Sequence, residues 1–282
     1  MKNEQKVQVR DALVRYVSNF PTQGMAADSL QGVSASTISQ IRNHNWELVS
    51  DRLWQHIARQ VGFYCGEWQA ADTGAYLLLR ILFGDAQHYA MSYGIAIGEG
   101  LGKTFAAMRY IRENEASYYI SGNEEYNRKS FITALLTNAG LEAKGTVPQL
   151  MDQYIRYLCE QPEPVLIVDD AHKLKDRVLH MVVQLANSIT GRAGMVIMGN
   201  DELRSRIMDG VRLKKVGYDE IYKTIGRRFV TLGCMGPQDV ELVCKANGVY
   251  GEGLIKEITE QSRNLHDAVA LIQHQSSMKT AA

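Results

Sequence analysis

The 282-residue sequence has no net charge: 31 lysines and arginines balance 31 aspartates and glutamates. Overall charge therefore gives no argument for a nucleic-acid partner, and any such surface has to be local. Cysteine is scarce. Cys65, Cys159, Cys234 and Cys244 make no close pair and no metal-ligand spacing, which argues against a disulfide framework and for reduced thiols in a cytoplasmic protein. His172 and His180 have no companions whose spacing supports a structural zinc. The opening residues, MKNEQKVQVRD, lack an apolar core of signal-peptide length, and no uncharged apolar run reaches about 18 residues, so no membrane partner is expected. Internal repeats and low-complexity tracts are absent as well. With 45% hydrophobic residues the chain can still bury a core, and its length suggests two or three units.

One segment stands out from this background. Residues 97–104 read IGEGLGKT, with apolar Tyr93–Ile97 before them and a helical run, Phe105–Ile111, after them. A strand, a glycine-rich turn and a helix start form the geometry that wraps a phosphate chain, because backbone N–H groups and the positive end of the helix dipole face the anion. Gly98, Gly100, Gly102, Lys103, Thr104 and Phe105 are the binding candidates, and ATP and Mg2+ the expected cofactors. Lys103 would reach the β- and γ-phosphates, and the Thr104 hydroxyl would complete the magnesium shell. The usual pattern places glycine where this chain has Ile97, so Gly98 is the candidate to do that work through a shifted turn.

A second motif supports the first. Residues 164–172 read PVLIVDDAH, four consecutive apolar residues ending in two aspartates. An unbroken apolar run of this length suits a parallel strand buried on both faces. Carboxylates at its C-terminal end fall where open α/β sheets hold ligands. Asp169 is the magnesium-side carboxylate, and Asp170 sits where many ATPases carry a glutamate that polarises the attacking water. Aspartate is one methylene shorter, so slow hydrolysis or help from a neighbouring subunit is expected. Two solvated acids capping the following helix are the bland alternative, more credible for Asp170 alone than for both.

Residues 1–62 are helical in pattern and contain neither nucleotide motif. Val7, Leu13, Val14 and Val17 recur at helical spacing. Met25–Leu30 forms a second helix, Gly32-Val33 a tight turn and Ser34–Asn43 a third helix. Leu48–Val61 is a fourth, with Leu53, Trp54, Ile57 and Val61 on its buried stripe. A helix, a glycine turn and a helix rich in Ser, Thr, Gln, Arg and Asn make a helix-turn-helix candidate. Ile38 and Ile41 would pack inward, while Ser36, Thr37, Gln40, Arg42 and Asn43 could bond phosphates or base edges in a DNA groove. A small bundle docking protein instead of DNA fits the same pattern.

Further along, Tyr76–Phe83 reads as a lead-in helix, Ser117–Ile120 as a strand, and Tyr126–Asn138 and Val147–Cys159 as helices. Arg177–Ser188 is a helix, with strands at Met195–Met198 and Phe229–Leu232. After Pro237 the pattern turns wholly helical: Asp239–Ala246, Gly253–Gln261 and Leu265–His274. Strand–helix alternation with a phosphate loop on the first strand predicts an α/β fold, a parallel sheet with helices on both faces. The expected domains are a helix-turn-helix at 1–62, a nucleotide-binding core at 63–235 and a helical lid at 236–282.

The IGEGLGKT loop, the LIVDDAH strand, the VIMGND strand and the Gly-Arg-Arg-Phe element at 226–229 together resemble an AAA+ ATPase, a P-loop NTPase with a helical lid. With the helix-turn-helix in front, the chain is similar to the MuB-type family, the ATP-dependent target-selection proteins of transposable elements. The resemblance implies that Asn200 senses the γ-phosphate and orients water, since a neutral amide bonds both without a charge penalty. It also implies that Arg228, with Arg227 as the adjacent substitute, reaches the next subunit's site; surface ion bridges are the alternative for that pair. The lid's sensor position falls at His266, with Arg263 one turn earlier, so that either or neither contacts nucleotide.

Proteins of this kind assemble as ATP-bound rings or helical filaments on double-stranded DNA and present it to a transposase. Arg128, Lys129, Lys173, Lys175 and Arg177 are the candidates for phosphate contacts, ahead of Lys214 and Lys215, although solvated helix ends would look the same. The expected function is an ATPase that oligomerises on duplex, selects the transposition target and disassembles on hydrolysis. Two rivals share its motifs: a helicase-loader-like ATPase, and a transcription regulator whose oligomeric state nucleotide switches. Preference for single strands would favour the first, and a footprint at one operator the second.

Overall fold

The computed structural model describes residues 3–18, 20, 22–61, 68–226, 229–231 and 235–281. These residues fall into two compact units, Met1–Trp68 with Ile132–Leu150, and Gln69–Phe131 with Met151–Ala282.

The first unit opens with four helices, α1 (Asn3–Ser18), α2 (Gln23–Asp28), α3 (Ala35–Arg42) and α4 (Asp51–Gln60). Their shared core contains Val9, Leu13, Val17, Ile38, Ile41, Trp54 and Ile57. On α1 the buried stripe is thus Val9–Leu13–Val17, one residue every turn, whereas Val7 and Val14 remain exposed. Side-chain caps set the helix starts: Thr22 Oγ1 accepts from Met25 N, and Ser34 Oγ from Thr37 N. The turn between α2 and α3 passes through Gly32 in the left-handed region (φ 66°). From α4, the Gln60 side chain brackets Gln31, accepting from its N–H (2.6 Å) and donating to its carbonyl (2.9 Å). The fourth helix begins later than its apolar spacing predicts. Trp46–Leu48 winds as a 3-10 turn, Val49 is extended, and Leu48 lies exposed outside the stripe.

The second unit is built on five parallel strands, β1 (Ser92–Ala96), β2 (Ser117–Ser121), β3 (Val165–Asp169), β4 (Gly194–Gly199) and β5 (Val230–Thr231). Their order across the sheet is β2-β3-β4-β1-β5. Helices α5 (Gly74–Tyr89) and α6 (Lys103–Glu113) cover one face, packing Leu79, Phe83 and Ala106 against Ile95, Ile167 and Val196. Side chains of successive strand residues alternate between faces, and Leu166, Val168, Met195 and Ile197 on the opposite face are also fully buried. Helices α9 (Asp176–Ile189) and α10 (Asp201–Arg212) contact β4. The chain thus forms the α/β layout expected, with helices on both faces.

Helices α7 (Arg128–Asn138) and α8 (Val147–Glu160) follow β2, and the short α11 (Tyr218–Ile221) follows α10. Three helices close the unit: α12 (Pro237–Ala246), α13 (Glu252–Gln261) and α14 (Leu265–Ala281). The lead-in helix α5 is twice as long as its apolar run suggested, starting at the Thr73 cap and ending at Ala90 in the left-handed region. Among the described residues the last strand is only Val230–Thr231, and Leu232 lies outside them.

Two glycines permit backbone contacts that a side chain would block. An added Cβ at Gly194 would lie 2.1 Å from the Ala86 carbonyl oxygen, and one at Gly94 2.3 Å from that of Ile225. Overpacking of this kind costs about 1–3 kcal/mol. Gly194→Ala should therefore lower the melting temperature by several degrees, while Gly253→Ala, in open space on α13, should leave it unchanged or raise it. Thermal unfolding followed by circular dichroism checks both.

Candidate functional site

The strand order decides what meets at the carboxyl edge of the sheet. β1 and β4 are neighbours in register at Ala96↔Gly199, and β4 and β3 at Ile197↔Val168. The segments leaving β1, β3 and β4 therefore emerge side by side: the loop 97–102, Asp169-Asp170 and Asn200. This edge is where open α/β sheets bind ligands.

The loop from β1 turns into α6 through Gly100 (φ 71°) and Gly102 (φ 81°), both in the left-handed region. Gly98 is not in that region, so the turn is not shifted onto it. Ile97 needs no glycine's freedom, because its N–H still donates to Gly199 O (3.1 Å) and its side chain is buried in the sheet core. What residue 97 supplies is its carbonyl. Lys103 Nζ donates to Ile97 O (2.8 Å) and Gly98 O (2.9 Å), which folds the loop around the ammonium. Burial pushes the Lys103 pKa down, opposed by the negative charges of Asp169, Asp170, Glu99 and Asp201. Phe105 packs its ring against the core, with Tyr76 at 6.1 Å, so only its backbone N–H in the first turn of α6 is free for an anion.

Asp169 is completely buried. Its Oδ2 accepts from Thr104 Oγ1 (2.6 Å) and from the Tyr119 hydroxyl (3.2 Å), and its Oδ1 from Asp170 N (2.8 Å). A hydroxyl and a carboxylate held together beside a buried ammonium are hard oxygen donors of the kind magnesium takes, so this donor set fits Mg2+ with a phosphate. Asp170 follows in the left-handed region (φ 50°, ψ 33°), a conformation rare outside glycine, and its Oδ2 pairs with Lys173 Nζ at 2.7 Å. Gly122 accommodates that backbone, since an added Cβ there would lie 2.4 Å from Asp170 O.

Asn200 is buried at the N-terminus of α10. Its Oδ1 accepts from Glu202 N (3.1 Å), and its Nδ2 donates to Glu99 Oε1 and Glu202 Oε2, both at 3.3 Å. Arg206, two turns further along α10, donates to the carbonyls of His172 (3.3 Å) and Leu174 (2.7 Å) and pairs with Asp176. Burial raises the Asp176 pKa, but hydrogen bonds from Tyr218 and Arg206 outweigh it and hold that carboxyl low. The helix that begins at Asn200 is thereby tied to the turn that follows Asp170.

The remaining candidates are scattered. Arg263 and His266 are both exposed at the start of α14, where Arg263 N donates to Asp267 Oδ2. Between α13 and α14, Asn264 lies against the loop, with its Cγ 2.5 Å from an added Cβ at Gly100. Arg227 and Arg228 lie outside the described residues. Arg128 and Lys129 are exposed at the start of α7, and Lys175 and Arg177 at the start of α9, whereas Lys173 is engaged by Asp170. Lys214 and Lys215 are exposed after α10. On α3, Ser36, Arg42 and Asn43 are exposed and Thr37 and Gln40 half-buried. Thr37 bonds Ser34, and Arg42 reaches back to Gln23 of α2 at 3.1 Å. Sequence reasoning missed Tyr119, Glu99 and Asn264. Only Asn264 left a signal, an Asn three residues before Asp267 at a helix start.

Residues 92–207 match the family model for an AAA domain. The match contains Lys103, Thr104, Asp169, Asp170 and Asn200, and this AAA domain is a nucleotide-binding P-loop fold. The four N-terminal helices and the C-terminal helices α12–α14 lie outside it. No curated protein matches the chain. Solved structures that resemble it include domain III from the Thermotoga maritima replication initiation protein DnaA, at 16% identity and a TM-score of 0.48, over 73% of this chain and 84% of that one. No helix among the described residues is long and apolar enough to cross a membrane.

The loop geometry separates two glycines. A left-handed backbone costs a residue with a Cβ about 1–2 kcal/mol. Gly100→Ala should therefore weaken binding of a fluorescent ATP analogue about tenfold. Gly98→Ala, whose Cβ would meet only Leu101 at 3.7 Å, should change it less than about twofold.

Proposed function

We propose that this protein is an ATPase whose triphosphate-bound form assembles on duplex DNA, marks a transposition target and hands it to a transposase. The observation that carries the reading is the convergence of Lys103, Thr104, Asp169, Asp170 and Asn200 at the ends of three adjacent strands. In this reading Lys103 holds the β- and γ-phosphates, and Gly100, Gly102 and the first turn of α6 enclose them with N–H groups. Thr104 and Asp169 hold magnesium, which supplies charge neutralisation on the transferring phosphoryl group.

Asp170 polarises the attacking water and Asn200 orients it. Lys173 competes for the same Asp170 oxygen, and aspartate is a short reach for a base. Both features suit slow turnover, the behaviour of a timer that dissolves an assembly after use. Arg228 completes the site from a neighbouring copy, where a guanidinium fork stabilises spreading transition-state charge. Hydrolysis then releases the grip between copies.

The DNA surface in this reading has two parts. Arg128, Lys129, Lys175 and Arg177 contact phosphates, while Lys173 serves Asp170 instead. The α2–turn–α3 segment acts as a helix-turn-helix, offering Ser36, Gln40 and Asn43, with Arg42 tied into the helix pair. Target selection, as opposed to another DNA-bound ATPase role, rests on the resemblance of the whole motif order to MuB-type proteins.

ATP should promote sedimentable complexes with duplex DNA, ADP should not, and Lys103→Ala should abolish the effect. Those complexes should weaken steeply with salt and cover duplex without sequence preference. Equal DNA binding in all three states would overturn the proposal, and protection confined to one operator would replace it with transcriptional regulation.

A further inference from the structure

The strand β2 carries two successive tyrosines, and alternation sends them to opposite faces of the sheet. Tyr118 meets Tyr157, with ring centroids 5.7 Å apart and hydroxyls at 3.0 Å. Tyr119 goes the other way, towards the face covered by α5 and α6, and packs against that core. It pairs in register with Ile167, two residues before Asp169 on β3, so its ring extends along the sheet towards the carboxyl edge. There the hydroxyl donates to Asp169 Oδ2 at 3.2 Å, the same oxygen that receives Thr104.

We infer that Tyr119 is a positioning residue of the magnesium site, fixing the rotation of the Asp169 carboxylate so that Thr104 and Asp169 present their oxygens as one preformed pair. The inference rests on the nucleotide reading proposed above. A carboxylate rotating freely about its last bond would have to be ordered each time metal bound. Here Oδ2 is held by two hydroxyls and Oδ1 by a backbone N–H, so that cost is met on folding.

Tyr118→Phe supplies a matched control, because it removes the same atom from the same strand on the face away from Asp169. The probe is a methylanthraniloyl derivative of ATP, titrated by fluorescence with magnesium chloride and again with EDTA. Wild type and Tyr118→Phe should show the same tightening by magnesium. Tyr119→Phe should lose about tenfold of that tightening, with its affinity in EDTA unchanged. Full retention of the tightening in Tyr119→Phe would overturn the inference, as would equal losses in the two variants, which would mark a packing effect. Absence of binding by the wild type would instead overturn the nucleotide reading, and this inference with it.

Discussion

A carboxylate with no solvent contact is tolerable only where donors surround it, and Asp169 meets that condition at the end of β3. Its partners come from three places in the chain: Thr104 on α6, Tyr119 on β2 and the next backbone N–H. Each is brought there by the sheet. Because β1 lies beside β4, and β4 beside β3, the glycine loop opens next to the end of the strand that leads into Asn200 and one strand away from Asp169. The loop, the acid and the amide form one site because of that register.

The same register explains the restraint built into the site. Asp170 follows Asp169 directly, but its backbone takes a left-handed turn made possible by Gly122, and its carboxylate is occupied by Lys173. Arg206 ties the turn beyond it to α10 and so to Asn200. Asn264 lies against Gly100, which brings the start of α14 to the phosphate loop.

Much of this was legible in the sequence, for definite reasons. The run Val165–Val168 is apolar on both faces because β3 lies between two strands and under two helical layers, so its strand nature and its terminal aspartates could be read directly. The third helix, read from Ser34, begins one residue later because Ser34 caps it by accepting a local hydrogen bond from Thr37 N. Ile97 misled because a missing glycine looks like a broken loop, whereas at that position only the carbonyl matters. Tyr119 was invisible because its partner is 50 residues away, and a strand tyrosine is ordinarily core. Lys173 read as a free cation because sequence cannot show that the residue three positions back turns to meet it. On α1 the stripe slipped for a similar reason: several valines fit a helical period, and packing selected Val9 over Val7 and Val14.

The proposed function requires that Lys103, Thr104 and Asp169 form one triphosphate–magnesium site. Isothermal titration of ATP into the purified protein tests it directly. The expected result is one site per chain, markedly weakened when magnesium is chelated and absent in Asp169→Asn combined with Lys103→Met. Heat and affinity that are the same with and without magnesium, or binding that survives both substitutions, would contradict it.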